Sequence, residues 1–117
     1  EPARLLIQRD VMLWVGRRVN LAPRLLDADG NVIHGDDFDA ETRLTFENMS
    51  KTLAQSGASL GDIVKLTVFL LDIEAHNDRS NAIKREYFEE PPAQSTIGVA
   101  GLAAPGLQLE VEALAVL

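Results

Sequence analysis

Cysteine is absent from the 117 residues, which excludes disulfides, thiol nucleophiles and thiolate metal sites. Histidine is scarce as well: His34 and His76 lie far apart without metal-ligand spacing, so we expect no metal ion. Basic charge is in the minority, with 11 Lys and Arg against 18 Asp and Glu, for a net charge of −7. Because affinity for a phosphate backbone needs clustered basic charge, we expect no nucleic-acid partner.

Long apolar runs are missing too. No uncharged run approaches the roughly 18 residues that a membrane span needs, and no signal peptide opens the chain. We therefore expect no membrane partner, and the lack of cysteine fits a reducing, cytoplasmic location. The remaining composition, 46% hydrophobic and 25% charged, is typical of a soluble globular protein. The length predicts a single domain over residues 1–117.

Apolar runs and alternation predict most of the strands. The predicted strands cover residues 11–15, 63–71, 94–100 and 107–116. An edge strand is also expected over residues 1–9, and at most a short strand at residues 32–33. Gly16 ends the first run and is predicted to form a turn or bulge.

Helical spacing predicts two helices. The first covers residues 39–56, with Asp39 as its N-cap and Gly57 as its C-terminal stop. Its buried stripe is expected to consist of Thr42, Phe46, Met49 and Leu53. The second helix is predicted over residues 76–89 and is ended by the Pro91-Pro92 pair.

The order of these elements indicates one α+β domain with both helices on one face of a sheet. In the central strand, one face is expected to carry Val64, Leu66, Val68 and Leu70. The other face is expected to carry Lys65, Thr67, Phe69 and Leu71. Since no element of the chain is left to cover that second face, we expect a second copy to cover it, in a homo-oligomer.

Several segments, taken together, resemble a known family. They are Leu13-Trp14-Val15-Gly16, Phe46-Glu47-Asn48-Met49, Gly61-Asp62-Ile63-Val64-Lys65-Leu66-Thr67-Val68-Phe69-Leu70-Leu71-Asp72, Pro92-Ala93-Gln94-Ser95 and Glu110-Val111-Glu112-Ala113-Leu114-Ala115. Asn81 lies between the third and fourth of these segments. By this order and spacing, residues 11–117 are similar to the RidA family, also called YjgF or L-PSP endoribonuclease-like proteins.

The resemblance implies a chorismate-mutase-like α+β fold, a mixed β-sheet with two helices packed on one face, assembled as a homotrimer. It also implies three clefts between subunits, each lined from two chains and binding a small-molecule metabolite. Catalytic members hydrolyse reactive enamines or imines, such as 2-aminoacrylate, to 2-keto acids and ammonia. The resemblance implies that no cofactor is needed for this reaction.

The main departure from the family falls at Gln94. The family has a Pro-Ala-Arg-Ser motif whose Arg holds the substrate carboxylate in a bidentate pair, and this chain has Gln94 at the Arg position. A neutral amide donates hydrogen bonds but carries no charge, so the resemblance implies a substrate or ligand that differs from 2-aminoacrylate. Arg17 or Arg18 is a candidate replacement, although both are also ordinary surface charges.

The resemblance assigns the other site residues by position. Glu110 matches the cleft Glu of the last strand, where it is expected to position or activate the attacking water. The backbone of Gly16 matches a ligand-contacting glycine, and Asn81 matches the Asn of the second helix. Ser95 and Thr96 follow Gln94 in the ligand-binding motif. Without the family, Glu110 is an exposed strand carboxylate and Asn81 a solvated helix residue.

Three functions remain open from the sequence. The first is an enamine or imine deaminase with an altered substrate. The second is a non-catalytic trimeric module that binds a metabolite, favoured by Gln94 and by the apolar Val15 beside Gly16. The third is a ribonuclease or translation inhibitor, which the net charge of −7 and the lack of a histidine pair disfavour.

Overall fold

A computed structural model describes residues 4–8, 11–15, 18–21, 37–102 and 106–116. Within these ranges the chain forms six strands, two α-helices and a short 3-10 helix, Leu60–Asp62. The strands are β1 (Arg4–Gln8), β2 (Val11–Val15), β3 (Arg18–Leu21), β4 (Ile63–Leu70), β5 (Ala93–Gly98) and β6 (Leu109–Val116). The helices are α1 (Phe38–Ala54) and α2 (Ile73–Lys84).

Four of the described strands form a mixed sheet in the order β3-β6-β4-β5. Strands β4 and β5 run parallel, whereas β6 pairs antiparallel with both β4 and β3. Strands β1 and β2 form a separate antiparallel pair, which confirms the strands predicted at residues 1–9 and 11–15. The predicted mixed α+β architecture is therefore confirmed, with small shifts at the strand ends.

The third strand differs from the prediction. The short strand expected at residues 32–33 lies outside the described residues, and β3 was not anticipated. Strand β3 pairs with the end of β6, where Arg18 lies opposite Val116 and Leu21 opposite Ala113. A segment of four residues carries too little alternation to be recognised alone, because its strand conformation depends on the pairing with β6.

The core lies between α1 and one face of the sheet. The predicted α1 stripe is confirmed, since Phe46, Met49 and Leu53 are each no more than 2% exposed. The sheet residues that pack against it are Leu66, Val68, Leu70, Leu109, Val111, Ala113 and Ala115. Helix α2 contacts α1, β4 and β5 on the same side, and its Ile83 is fully buried. Both helices therefore cover one face, as predicted.

The opposite face of the sheet, called here the open face, has no helix on it among the described residues. The register places Phe69 of β4 beside Ile97 of β5 and Glu110 of β6 on this face. Ile97 is 43% exposed and Leu71, directly after β4, is 46% exposed. A single copy of the chain thus leaves apolar side chains of its sheet in contact with water.

Helix α1 begins earlier than predicted. Its N-cap is Asp37, whose side chain accepts a hydrogen bond of 3.1 Å from the Ala40 N–H, so the assignment of Asp39 as N-cap is wrong. Asp39 instead lies in the first turn, where its carboxylate accepts hydrogen bonds from the guanidinium group of Arg79. The predicted stop at Gly57 is confirmed. Gly57 adopts the left-handed backbone conformation, with φ 73°, and its N–H donates to the Ala54 carbonyl after the last turn of α1.

Helix α2 also differs from its predicted bounds. It begins at Ile73, with Asp72 as N-cap accepting from the Ala75 N–H at 3.0 Å, and it ends at Lys84. The prediction of residues 76–89 ended by prolines is wrong, because the chain leaves the helix earlier. This exit allows Phe88 to turn into the core, where its ring packs edge-on against Phe46.

One residue of β4 was assigned to the wrong face. Val64 is 48% exposed, whereas Ile63 beside it is 6% exposed. The register between β4 and β6 shifts between Ile63 and Lys65, so Val64 is the extra residue of a β-bulge. Alternation of buried and exposed side chains would bury Val64 together with Leu66. The prediction fails because the bulge adds one residue to the strand, so that Ile63 is buried instead.

A buried carboxylate ties α1 to the start of β6. Glu41 is 1% exposed, and its two oxygens accept from the backbone N–H of Gln108 at 2.8 Å and from the Gln108 side chain at 2.9 Å. Burial raises the pKa of Glu41, although the hydrogen bonds from Gln108 act in the opposite direction. The pair fixes the strand beside Glu110 against the helix layer.

Replacing the α1 cap tests where the helix begins. We expect Asp37→Ala to lower the free energy of unfolding by about 1 kcal/mol, because the Ala40 N–H loses its acceptor. Asp37→Asn should retain most of this stability, since Asn is an equally good N-cap. Urea unfolding of the three proteins measures the difference. Equal losses for the Ala and Asn variants would contradict Asp37 as the cap.

Burial of the Glu41 carboxyl group should make the free energy of unfolding depend on pH. We expect Glu41→Gln to cost about 1–3 kcal/mol, because one acceptor facing Gln108 becomes a donor. Folding raises the pKa of Glu41, so the native state holds its proton at pH values where the unfolded state has lost it. The contribution of Glu41 to the free energy of unfolding is complete below the ordinary carboxyl pKa of the unfolded state. It is lost as the pH rises through the raised pKa of Glu41 in the folded state.

Urea unfolding of the native protein and Glu41→Gln over that pH range measures this contribution. The stability advantage of the native protein should shrink as pH rises. An advantage that stays constant across the range would contradict the raised pKa of Glu41.

Candidate functional site

Helix α2 and strand β5 bring three of the predicted ligand-binding residues together. Strand β5 runs parallel to β4 with Gln94 opposite Leu66 and Thr96 opposite Val68. Because Leu66 and Val68 face the helices, Gln94 and Thr96 also point to the helix side of the sheet. Asn81 lies on α2, which packs over this part of β5.

These side chains form a connected hydrogen-bond network, called here the Gln94 cluster and made of Asn81, Lys84, Gln94 and Thr96. The Gln94 amide nitrogen donates to Asn81 Oδ1 at 3.2 Å and to Thr96 Oγ1 at 2.8 Å. Lys84 Nζ donates to Gln94 Oε1 at 2.7 Å and to Asn81 Oδ1 at 3.3 Å. All four residues are half-buried, so the network is partly shielded from water.

Lys84 is the member of the cluster that the sequence analysis missed. It lies one helical turn after Asn81 on the same face of α2, and it is the last residue of the helix. Burial lowers the pKa of Lys84, and the nearby charge of Arg85 lowers it further. Its spacing of three residues from Asn81 was the one sequence signal that places the two side chains on the same face of the helix. The helix was predicted to continue to residue 89, so Lys84 was not recognised as a residue at the end of the helix.

Ser95 and Glu110 lie on the other side of the sheet. Ser95 alternates with Gln94 and Thr96, is exposed, and accepts a hydrogen bond of 2.7 Å from Lys65 Nζ. The side chain of Glu110 is half-buried beside Phe69 on the open face and makes no hydrogen bond or ion pair with any described residue. Within one chain, the candidate catalytic carboxylate and the Gln94 cluster are therefore separated by the sheet.

Two of the predicted ligand-binding residues, Gly16 and Arg17, lie outside the described residues, so their expected contact with ligand stays a prediction. Arg18 opens β3, where its backbone pairs with Val116. The positive charge found beside Gln94 comes from Lys84.

The chemistry of the two groups is complementary. The Gln94 cluster contains amides, a hydroxyl and an ammonium group, so it can donate hydrogen bonds to a ligand but has no group to act as a base near neutral pH. Glu110 supplies a carboxylate able to orient or deprotonate water. The described residues contain no group of three or more His, Asp or Glu arranged to hold a metal ion.

A separate cavity of about 680 Å³ lies at the other end of β4. Its lining consists of Gly61, Ile63, Tyr87, Phe88, Glu89, Glu90 and Pro91. None of the predicted site residues contributes to it. Across the described part of the chain, neither helix is long and apolar enough to pass through a bilayer.

Comparison with known proteins supports the resemblance found in the sequence. The family model described as endoribonuclease L-PSP matches residues 16–117, which include every candidate site residue. The match therefore covers most of the chain, from the predicted turn at Gly16 through β6.

Curated relatives come from yeasts, archaea and bacteria. The mitochondrial protein mmf2 of Schizosaccharomyces pombe is 36% identical over 90 residues, which are 74% of this chain and 70% of that protein. A RutC family protein of Pyrococcus horikoshii is 34% identical over 106 residues, 88% of this chain and 77% of the relative. Escherichia coli TdcF, named a candidate reactive intermediate deaminase, is 36% identical over 86 residues, 68% of this chain and 64% of TdcF.

Solved structures share the fold along nearly the whole chain. Yeast Mmf1 superposes with a TM-score of 0.84 at 25% identity, covering 98% of this chain and 98% of that one. RidA from the Antarctic bacterium Psychrobacter sp. superposes with a TM-score of 0.81 at 26% identity, covering 92% of this chain and 86% of RidA. The arrangement of helices and sheet described above is therefore that of the RidA and YjgF proteins.

Proposed function

This chain belongs to the endoribonuclease L-PSP family, which includes the RidA and YjgF proteins, and from that premise we propose that it hydrolyses a small enamine or imine. The reaction takes place in clefts between the subunits of a homotrimer. The observation that carries the proposal is the assembly of Asn81, Gln94 and Thr96 into one cluster within a family fold. The name of TdcF supports a RidA-like function of the deaminase type.

The proposed reaction uses water and no cofactor. An enamine first takes a proton on carbon to give the iminium ion, and water then adds to the iminium carbon and releases a proton. The nitrogen of the adduct takes up a proton, the carbon–nitrogen bond breaks, ammonia leaves, and the remaining hydroxyl loses its proton to become the carbonyl of a keto product. Glu110 positions the attacking water and accepts its proton, because it is the candidate carboxylate without a partner among the described residues.

The separation of the two groups supports a cleft that is lined by two chains. Glu110 lies on the open face, whereas Gln94 points to the helix side of the same sheet. One small ligand cannot contact both through the sheet of a single subunit. We therefore assign Glu110 and the Gln94 cluster of each cleft to neighbouring subunits, with Gly16 and Arg17 as further ligand-binding residues.

The open face supports self-association. Leu71, Ile97 and Val116 are each more than 40% exposed in a single copy. Their burial against another copy would remove apolar surface from water, at about 25 cal/mol for each Å². Charged Glu112 on the same face makes the interface partly polar, as in oligomers whose interfaces combine apolar contacts with hydrogen bonds.

The proposed homotrimer is tested by the mass of the protein in solution. Light scattering after size exclusion should give about three times the 12.8 kDa mass of one chain. Ile97→Asp should shift the protein towards the monomer, because it buries a charge in the interface. Ala40→Asp places the same charge on an exposed position of α1 and should leave the trimer intact. A native monomer, or an unchanged Ile97→Asp trimer, would contradict the proposal.

The proposed reaction is tested with imines and enamines generated in situ from a panel of amino acids, with ammonia release as the readout. Native protein should accelerate at least one of them over buffer. Glu110→Gln should lower the rate by about 10²–10⁴-fold, whereas Glu112→Gln, two residues along the same strand, should retain it. Gln94→Arg should increase activity on 2-aminoacrylate, because a bidentate pair then holds its carboxylate.

Failure of the folded native protein to accelerate any member of the panel would overturn the hydrolase. The alternative is then a non-catalytic trimeric module that binds a metabolite, which the neutral Gln94 favours. A ribonuclease is disfavoured by the net charge of −7.

A cytoplasmic location is proposed because the chain has no cysteine that needs an oxidising compartment. The yeast relative mmf2 is a mitochondrial protein, and both locations fit the same chemistry. Fluorescence microscopy of the tagged full-length protein distinguishes them.

A further inference from the structure

The Gln94 cluster has more hydrogen-bond donors than acceptors. Lys84 Nζ has three N–H groups, and two of them donate to Gln94 Oε1 and Asn81 Oδ1. Both N–H groups of the Gln94 amide are used by Asn81 and Thr96. Within the described part of the chain, the third N–H of Lys84 and the hydroxyl proton of Thr96 therefore have no acceptor. A ligand rich in acceptors would complete this network.

The charge of Lys84 is also uncompensated. Two other cations on the helix layer are paired, Arg43 with Glu86 at 2.8 Å and Arg79 with Asp39 at 2.6 Å. Lys84 contacts only neutral oxygen atoms, and no carboxylate of the described residues lies within ion-pair distance of it. A half-buried ammonium group has lost part of its hydration, so a nearby negative charge would stabilise it.

Gln94 is not free to bind the ligand through its own amide. Its oxygen accepts from Lys84 and its nitrogen donates within the cluster, so its role is to hold Lys84 in place. This inference rests on the proposed function, since it names the group that recognises the ligand of that site. We propose that Lys84, positioned by Gln94 and Asn81, supplies the positive charge missing at position 94 and binds the anionic group of the ligand.

The change from Arg to a Lys on the neighbouring helix alters the geometry of recognition. An ammonium group with one remaining N–H binds an anion through a single hydrogen bond, whereas a guanidinium group binds a carboxylate through two parallel ones. The site therefore requires a negative charge on its ligand but restrains its orientation less. Lys84 is a specificity-determining residue in this account, and Gln94 is a positioning residue.

Calorimetric titration with pyruvate and with its neutral methyl ester separates charge recognition from shape. Native protein should bind pyruvate more tightly than the ester. Lys84→Met should weaken pyruvate binding by roughly tenfold to a hundredfold and leave ester binding unchanged. Lys84→Arg should retain the preference for pyruvate. Lys51→Met, at an exposed lysine in the last turn of α1, is the matched control and should bind both probes as the native protein does.

A double variant tests whether the charge can be moved. In Lys84→Met/Gln94→Arg the cation returns to the strand, and the preference for pyruvate should be restored. Circular dichroism and light scattering confirm that each variant is folded and assembled. Equal losses of pyruvate and ester binding in Lys84→Met would indicate a structural role only and would overturn the proposal.

The remaining outcomes of the titration separate the assignment of Lys84 from the proposed function of the site. If native protein prefers pyruvate and Lys84→Met keeps that preference, the assignment of Lys84 is overturned while the proposed function stands. If native protein binds pyruvate and the ester equally, the anion requirement is overturned. If native protein binds neither probe, the ligand site itself is overturned, and the inference about Lys84 is overturned with it.

Discussion

One-sided burial is the constraint on which the rest of this structure depends. The stripe of α1 formed by Phe46, Met49 and Leu53 packs against one face of β4 and β6, and the three side chains lie almost entirely out of water. Both helices of the described residues lie on this side, so no helix among them covers the opposite face. Burial on one side therefore fixes which strand residues are structural and leaves the alternate residues available for contacts with another copy or a ligand.

The same alternation divides the candidate site. Gln94 and Thr96 belong to the helix side of β5, and Glu110 belongs to the open face of β6. A catalytic cleft that uses both requires a second subunit, so oligomerisation and catalysis are linked in our proposal. The Glu41–Gln108 pair contributes to this arrangement, since it fixes the start of β6 two residues before Glu110.

The proposed role of Lys84 moves the charged contact of the site from the strand to the neighbouring helix. Gln94 carries no charge at the position where the family resemblance implies an Arg, and its amide donates hydrogen bonds to Asn81 and Thr96. Its oxygen then faces the ammonium group of Lys84, which stands on the helix rather than the strand. In our proposal, the loss of a charge at position 94 is therefore offset by the charge of Lys84 on the neighbouring helix.

Much of the fold could be predicted from the sequence because its signals are local. Alternation identified β4 and β6, and helical spacing identified the α1 stripe. The errors arose where non-local contacts decide the structure: the bulge at Val64 depends on the register with β6, and β3 forms only by pairing with the same strand. Glu41 was overlooked because its burial requires Gln108, far away along the chain.

The site was predictable only in part for the same reason. Asn81, Gln94 and Thr96 were identified through the family resemblance, and the structure brings them together. Lys84 has no counterpart in the motifs that carried the resemblance, and its importance depends on a distance of 2.7 Å across two elements. The separation of Glu110 from this cluster likewise follows from strand pairing, which a single sequence does not specify.

The most direct test of this account is a crystal structure of the native protein with pyruvate bound. We predict that the carboxylate of pyruvate lies about 2.7–3.0 Å from Lys84 Nζ, in a cleft that a neighbouring subunit completes with Glu110. A pyruvate molecule bound away from Lys84, or a cleft lined by one chain alone, would contradict the central claim.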